Sequence, residues 1–230
     1  MARYVKIGLW LSEEILLLEH VPEQGHILDL GCGAGRTSIP LAEMGLQVTA
    51  IDISEAMTRV ARQQASLAGV QVDVRRMDAR RLSFADASFD AALFSYNGFE
   101  LVPGRTGKAE AMAEIHRVLR PGGCLIFCTH SLYAINRHAP ARLINLIKVG
   151  LARLLGLPSR ARELGERVID DPQEEVKYIQ ILPPAIWLSL LRAAGFQVLL
   201  FNTRRRLEQG RPWGTRGIWE DGERFYVARK

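Results

Sequence analysis

The stretch His26-Ile27-Leu28-Asp29-Leu30-Gly31-Cys32-Gly33-Ala34-Gly35 constrains this chain more than any other. Ile27, Leu28 and Leu30 make a short apolar run, of the kind buried on both faces of a parallel sheet. The run carries an acid and then breaks into three glycines at alternate positions. Helical spacing follows from Thr37 to Met44. Strand, acid, glycine turn and helix, in that order, hold a nucleoside-bearing ligand at the edge of a parallel sheet.

The alternation continues along the chain. Strands are expected at 26–30, 48–53, 70–75, 89–95, 124–129, 196–201 and 225–228, and helices at 11–20, 36–44, 54–67, 107–119 and 185–194. Ser54 reads as an N-cap, and Pro121-Gly122-Gly123 as a helix stop. This order predicts an α/β fold: a doubly wound, Rossmann-like, mostly parallel seven-stranded sheet with an antiparallel C-terminal hairpin on its edge. Residues 132–184 break the rhythm. They hold few strand signals, Arg142 to Leu155 has helical spacing, and Leu157-Pro158 and Asp170-Asp171-Pro172 mark breaks. A helical cap inserted after the fifth strand is expected, within a single domain over residues 1–230.

The chain has 230 residues, 48% of them hydrophobic and 24% charged, enough to bury a core without staples. Its three cysteines, Cys32, Cys124 and Cys128, make no disulfide framework and suit a reducing cytoplasm. Cys124, Cys128 and His130 lack the four-ligand spacing of structural zinc, so no metal is expected. The start of the chain does not read as a signal peptide, and no stretch approaches the ~20 apolar residues of a membrane span. The net charge of +5 permits an anionic partner without requiring one.

Which nucleoside ligand fits is decided by the acids. A dinucleotide turn wants G-x-G-x-x-G, but here the third glycine comes one place early and Arg36 stands where that glycine would be. The Gly-Lys-Ser/Thr of a nucleotide kinase is absent. Asp29, just ahead of the turn, suits a cationic amine better than a phosphate. Asp52 ends the second strand, where a carboxylate can accept both ribose hydroxyls. Asp78 follows the third, where one can accept from an adenine amine; beside Arg75, Arg76, Arg80 and Arg81 it can equally form a surface ion pair. S-adenosylmethionine, a sulfonium with an amino group and no phosphate, meets these demands.

Five blocks in order then resemble one family, the class I S-adenosylmethionine-dependent methyltransferases, in the small-molecule form similar to ubiquinone and menaquinone biosynthesis enzymes. They are Leu28 to Gly35, Ala50-Ile51-Asp52-Ile53-Ser54, Met77-Asp78-Ala79, Phe89-Asp90-Ala91-Ala92-Leu93 and Val118-Leu119-Arg120-Pro121-Gly122-Gly123. The resemblance covers about residues 20–131, Ala193-Ala194-Gly195-Phe196 and the last hairpin. It implies that Asp29 and Gly31 meet the methionine part, with Cys32 in the turn and Gly33 and Gly35 letting the backbone approach. It further implies Asp52 on the ribose, Ile53 and Met57 on the adenine faces, and Asp78 and Ala79 at the adenine edge. Ser95 and Tyr96 would lie beside the sulfonium and the acceptor.

His130 follows the fifth strand, where ligands sit in such sheets. It can take a proton from the acceptor, or simply bond a backbone carbonyl; Tyr96 is the other catalytic candidate. His138 lies in the cap. From Arg137 to Arg162 there are basic residues and no acid, interleaved with Leu143, Ile144, Leu146, Ile147, Leu151, Leu154 and Leu155. Such a helix covers an active site or a homodimer interface, lies on an anionic membrane through 141–155, or binds RNA phosphates. Asn97-Gly98-Phe99 is not the Asn/Asp-Pro-Pro-Tyr/Phe signature of amino-methylating nucleic-acid enzymes, and the cysteine pair of base C5 methylation is missing, so a small acceptor is favoured. The alternatives are an RNA methyltransferase using the basic cap and Arg204-Arg205-Arg206, a non-catalytic nucleoside-binding protein, and a dehydrogenase.

Overall fold

A computed structural model describes residues 8–136, 139–156, 163–168, 178–214, 217 and 219–230. Strands β1 (His26–Leu30), β2 (Gln47–Asp52), β3 (Asp73–Arg76), β4 (Phe89–Phe94) and β5 (Leu119–His130) pair in parallel. Strand β9 (Glu223–Arg229) joins β5 antiparallel, and β8 (Gln197–Thr203) forms the edge beside it. The sheet order is β3-β2-β1-β4-β5-β9-β8, the expected mostly parallel sheet with its antiparallel hairpin. Between β1 and β4 the winding reverses, which opens a crevice above their carboxyl ends.

Alternate residues of each central strand face opposite layers. Leu28, Ala92, Leu125 and Tyr226 face one core, closed by α4 (Gly104–Val118) and α6 (Pro184–Ala193) through Met112, Ile115, Trp187 and Leu191. Ile27, Ala91, Ile126 and Phe225 face the other, closed by α1 (Leu11–His20), α2 (Ser38–Glu43) and α7 (Arg204–Glu208) through Leu16, Leu17, Leu41 and Leu207. Helix α3 (Glu55–Ala68) starts as expected at Ser54, whose hydroxyl accepts from Met57 N (3.4 Å), and stops at left-handed Gly69.

Three local expectations change. Pro121-Gly122-Gly123 does not simply end a helix: it forms a bulge inside β5, with Phe89 facing Leu119 and Ala91 facing Cys124. A Cβ at Gly123 would stand 2.9 Å from the carbonyl of Arg120, so the bulge needs glycine there. The segment after β5 is not wholly helical. Helix α5 (Ala139–Leu154) is followed by two short antiparallel strands, β6 (Glu166–Val168) and β7 (Tyr178–Gln180). Three-residue strands carry too little periodicity to read, and here side chains from elsewhere fix them. Buried Lys108 of α4 donates to Gln180 (2.9 Å), and Tyr178 Oη accepts from Gly104 N (2.8 Å). Lastly, the polar loop 203–222 contains α7. His138 and the breaks at Leu157-Pro158 and Asp170-Asp171-Pro172 lie outside the described residues.

Candidate active site

The glycine turn stands at the carboxyl end of β1, with Gly31, Gly33 and Gly35 all at positive φ. The first two serve different ends. A Cβ at Gly31 would come 2.8 Å from the Phe94 ring, whereas at Gly33 it would meet nothing within 4 Å. Gly31 therefore serves packing, and Gly33 opens on the crevice. Cys32 is buried in the small layer with Ala50, Ala61 and Val74, and that burial raises its thiol pKa, which excludes a thiolate there.

Asp52, half-buried at the end of β2, pins the turn: Oδ2 accepts from Gly33 N (2.9 Å) and Oδ1 from Ser54 N (2.8 Å). Each oxygen keeps a second lone pair. Beside it Ile53 is exposed and Met57 half-buried. Asp78 is half-buried and held in a two-point ion pair by Arg80 (Nη2 to Oδ2 2.7 Å, Nε to Oδ1 3.1 Å), with Ala79 next to it. The hydrogen bonds and charge of Arg80 lower its pKa.

Asp29 departs from the expectation of an acid open to a ligand. Its side chain is 1% exposed, and Oδ2 accepts from Thr37 Oγ1 (2.6 Å) and Ser38 Oγ (2.5 Å). Its Oδ1 is buried with no hydrogen-bond partner. Burial pushes its pKa up to about 6, against the pull of Ser38, Thr37 and Arg36.

Across the crevice, Ser95, Tyr96 and Asn97 follow β4. Tyr96 and Asn97 are both left-handed (φ 50° and 60°), and Tyr96 is exposed. Two consecutive side-chain-bearing residues in that region are uncommon and concentrate where a loop is held for a task. Ser95 is buried in a cluster that sequence reasoning missed. Glu13 of α1, fully buried, accepts from Arg36 Nη2 (2.6 Å), from Trp10 N (2.8 Å) and from the Ser95 hydroxyl. The Arg36 guanidinium lies 5.1 Å from the Trp10 ring and 5.4 Å from that of Tyr96. One signal for Glu13 was present: it stands one turn before buried Leu17 on the same helix face.

Among the described residues, the ring of His130, at the end of β5, meets side chains rather than a backbone carbonyl. Its Nδ1 meets Glu100 Oε2 (2.7 Å), its backbone N donates to Glu100 Oε1 (2.6 Å), and its Nε2 lies 3.3 Å from Asn97 Nδ2. Partial burial lowers its pKa, but the hydrogen bond and charge of Glu100 outweigh that and leave it raised. Cys124 and Cys128 are packed in the core with thiols held protonated by burial. A groove of about 880 Å³ lies at the amino ends of β1, β2 and β4, lined by His26, Gln47, Arg62, Asp73 and Phe89, away from the crevice.

Residues 27–123 match the family model for a methyltransferase domain. The chain is 32% identical over 178 residues to a ubiquinone biosynthesis O-methyltransferase of Xanthomonas axonopodis pv. citri, covering 77% of this chain and 64% of that one. It belongs to the class I S-adenosylmethionine-dependent methyltransferase family. A demethylmenaquinone methyltransferase of Clavibacter sepedonicus is 34% identical over 174 residues, 74% of this chain and 64% of that one. The chain spans between 46% and 64% of the length of the first four curated relatives it matches. Among solved structures, a methyltransferase of Methanosarcina mazei superposes with TM-score 0.73 at 24% identity, covering 97% of this chain and 99% of that one. The [4+2]-cyclase SpnF superposes with TM-score 0.63 at 23% identity, covering 96% and 80%. The methyltransferase fold alone thus leaves the reaction to the residues of the site. Of the five motif blocks, three converge on the crevice. The other two meet at the amino end of β4, where Asp90 accepts from His26 N (2.8 Å) and Arg120 (2.6 Å).

Proposed function

We propose that this chain transfers a methyl group from S-adenosylmethionine to a small organic acceptor. The observation that carries the reading is the set of groups at the carboxyl ends of β1 and β2: an open Gly33, a carboxylate at Asp52 and, buried beneath them, an orphaned carboxylate oxygen on Asp29. A cationic ligand without phosphate suits that set; a pyrophosphate does not. The cofactor supplies an already activated methyl group. The protein supplies position and exclusion of water.

In this reading Asp52 accepts the ribose hydroxyls through its free lone pairs. Ile53 and Met57 flank the adenine, and Ala79 and Asp78 meet its edge, Asp78 sharing its oxygens with Arg80. Gly31, Cys32, Gly33 and Gly35 shape the turn beneath the methionine part, and Asp29 balances its positive charge from below. Ser95 and Tyr96 line the space beside the methyl group, and His130 stands on the acceptor side. The ubiquinone biosynthesis relative is an O-methyltransferase, which favours oxygen as the atom methylated. The three buried thiols suit a cytoplasmic setting.

The described residues between 132 and 184 form the acceptor side as an inserted cap within one domain. We propose that α5 rests on an anionic membrane surface rather than on RNA or a second copy. Leu143, Ile144, Ile147, Leu151 and Leu154 are exposed along it and Leu155 just past its end, and residues 137–162 carry six Lys or Arg and no acid. No helix among the described residues is long and apolar enough to cross a membrane. In the RNA alternative the run at 204–206 would be free, but Arg204 pairs with Glu208 (2.8 Å) and Arg206 with Glu220 (2.7 Å).

Calorimetry tests the central reading. S-adenosylhomocysteine should bind and NAD should not, and methyl transfer to a panel of hydroxylated aromatics should release S-adenosylhomocysteine. Binding of NAD alone would overturn the reading.

A further inference from the structure

We infer that buried Glu100 is a positioning residue that makes His130 a general base, so that the acceptor is one that must lose a proton, a hydroxyl or phenol. This rests on the methyl-transfer reading and names the chemistry on its acceptor side. Glu100 is 0% exposed and spends both oxygens on one residue, gripping His130 by its backbone N and by Nδ1. That grip has two consequences. It places the proton on Nδ1, because the carboxylate can only accept there, and so leaves the lone pair on Nε2. It also favours the imidazolium that forms once Nε2 takes a proton.

Asn97 completes the device. Its Nδ2 lies 3.3 Å from Nε2, capping the lone pair while the site rests, and its Oδ1 is buried with no partner. When Nε2 becomes protonated, the carboxamide can turn and accept that proton with Oδ1, at the cost of no existing Oδ1 bond. The His130 side chain is 46% exposed, so an acceptor can reach it. The charged groups facing it are Glu100 from the 98–101 turn, Glu223 directly across on β9 and Arg142 on α5, with Lys108 and Tyr226 acting on Glu100 from behind.

The acceptor oxygen attacks the methyl carbon with one lone pair, and the carbon–sulfur bond breaks with its electrons left on sulfur. His130 Nε2 takes the hydroxyl proton, whose bonding pair remains on oxygen. Glu100 and Asn97 hold the imidazolium until the proton passes to solvent. Acceptors with no proton to lose, such as thioethers and tertiary amines, would make no use of this pair.

The test begins on ligand-free protein labelled with ¹⁵N-histidine. His130 should carry its neutral-state proton on Nδ1 and titrate above the usual ~6.5. In Glu100→Gln the titration should fall, since partial burial and Arg142 are then opposed by Glu223 alone. Identical titration in both proteins, or a neutral proton on Nε2, would overturn the pairing. The second arm measures turnover of phenols of graded acidity. His130→Gln should lose about 10²-fold or more on weakly acidic phenols and far less on those already ionised. This variant leaves Glu100 in place and covers the case in which Glu100→Gln fails to fold. A uniform loss across the series, or turnover of thioethers but no phenol, would overturn the acceptor class. Failure to bind S-adenosylhomocysteine would instead sink the methyl-transfer reading and leave the titration result standing.

Discussion

Asp29 is a carboxylate held at about pH 6 by burial, with one oxygen satisfied by Thr37 and Ser38 and the other orphaned. A raised folded pKa means that this group stabilises the fold below its unfolded value near 3.8, and that the contribution is lost as pH rises through 6. A cationic ligand reverses the preference, since it favours the ionised form. Affinity for S-adenosylmethionine should therefore weaken as pH falls from 7 to 5, and calorimetry across that range reads it directly. Asp29→Asn should remove most of this dependence; an unchanged pH profile in the variant would assign it elsewhere. The presence of Asp29, Asp52 and Asp78 was legible in the sequence, because an acid at a strand's carboxyl end is a local pattern. Their partners were not. The bonds from Gly33 to Asp52 and from Arg80 to Asp78 depend on side-chain rotamers that no spacing rule specifies.

At the scale of elements, the central strands and α3 were readable because buried apolar runs and caps are local signals. Helix α5 was readable as a helix but not in its packing. Its inner side is held by Val149, which is buried, and by Arg142, which donates to the carbonyls of Leu132 and Ala134. The leucine and isoleucine stripe faces outward. Vesicles containing phosphatidylglycerol should co-sediment the protein, and neutral phosphatidylcholine vesicles should not. Leu151→Glu with Leu154→Glu should abolish sedimentation without changing S-adenosylhomocysteine affinity. Equal binding to both vesicle types would remove the electrostatic part of the proposal, and no binding to either would remove the whole. Strands β6 and β7 escaped notice because tertiary bonds from Lys108 and Gly104, rather than propensity, hold them.

Across the whole molecule, α1 from one end of the chain is stapled over the crevice by Glu13 and Arg36. Their ion pair joins the N-terminal helix to the segment after the glycine turn and, through Ser95, to the end of β4. Removing one partner of so buried a pair leaves the other charge uncompensated, at a cost of about 3–5 kcal/mol. Glu13→Ala should lower stability to denaturant by roughly that amount, whereas the double variant Glu13→Leu with Arg36→Met should recover much of it. If Glu13→Ala unfolds at the wild-type midpoint, the staple contributes little. Sequence alone determined the alternation of strands and helices, the glycine turn, the acids at three strand ends and, through five ordered blocks, the family. These are local or evenly spaced patterns, so they survive projection onto one dimension. Only the tertiary structure decided that Asp29 lies beneath the site, that Glu13 closes it, and that Glu100 grips His130. Those pairings join residues 8 to 82 positions apart or hide a carboxylate from solvent, and burial and contact exist only once the sheet has brought the strand ends together.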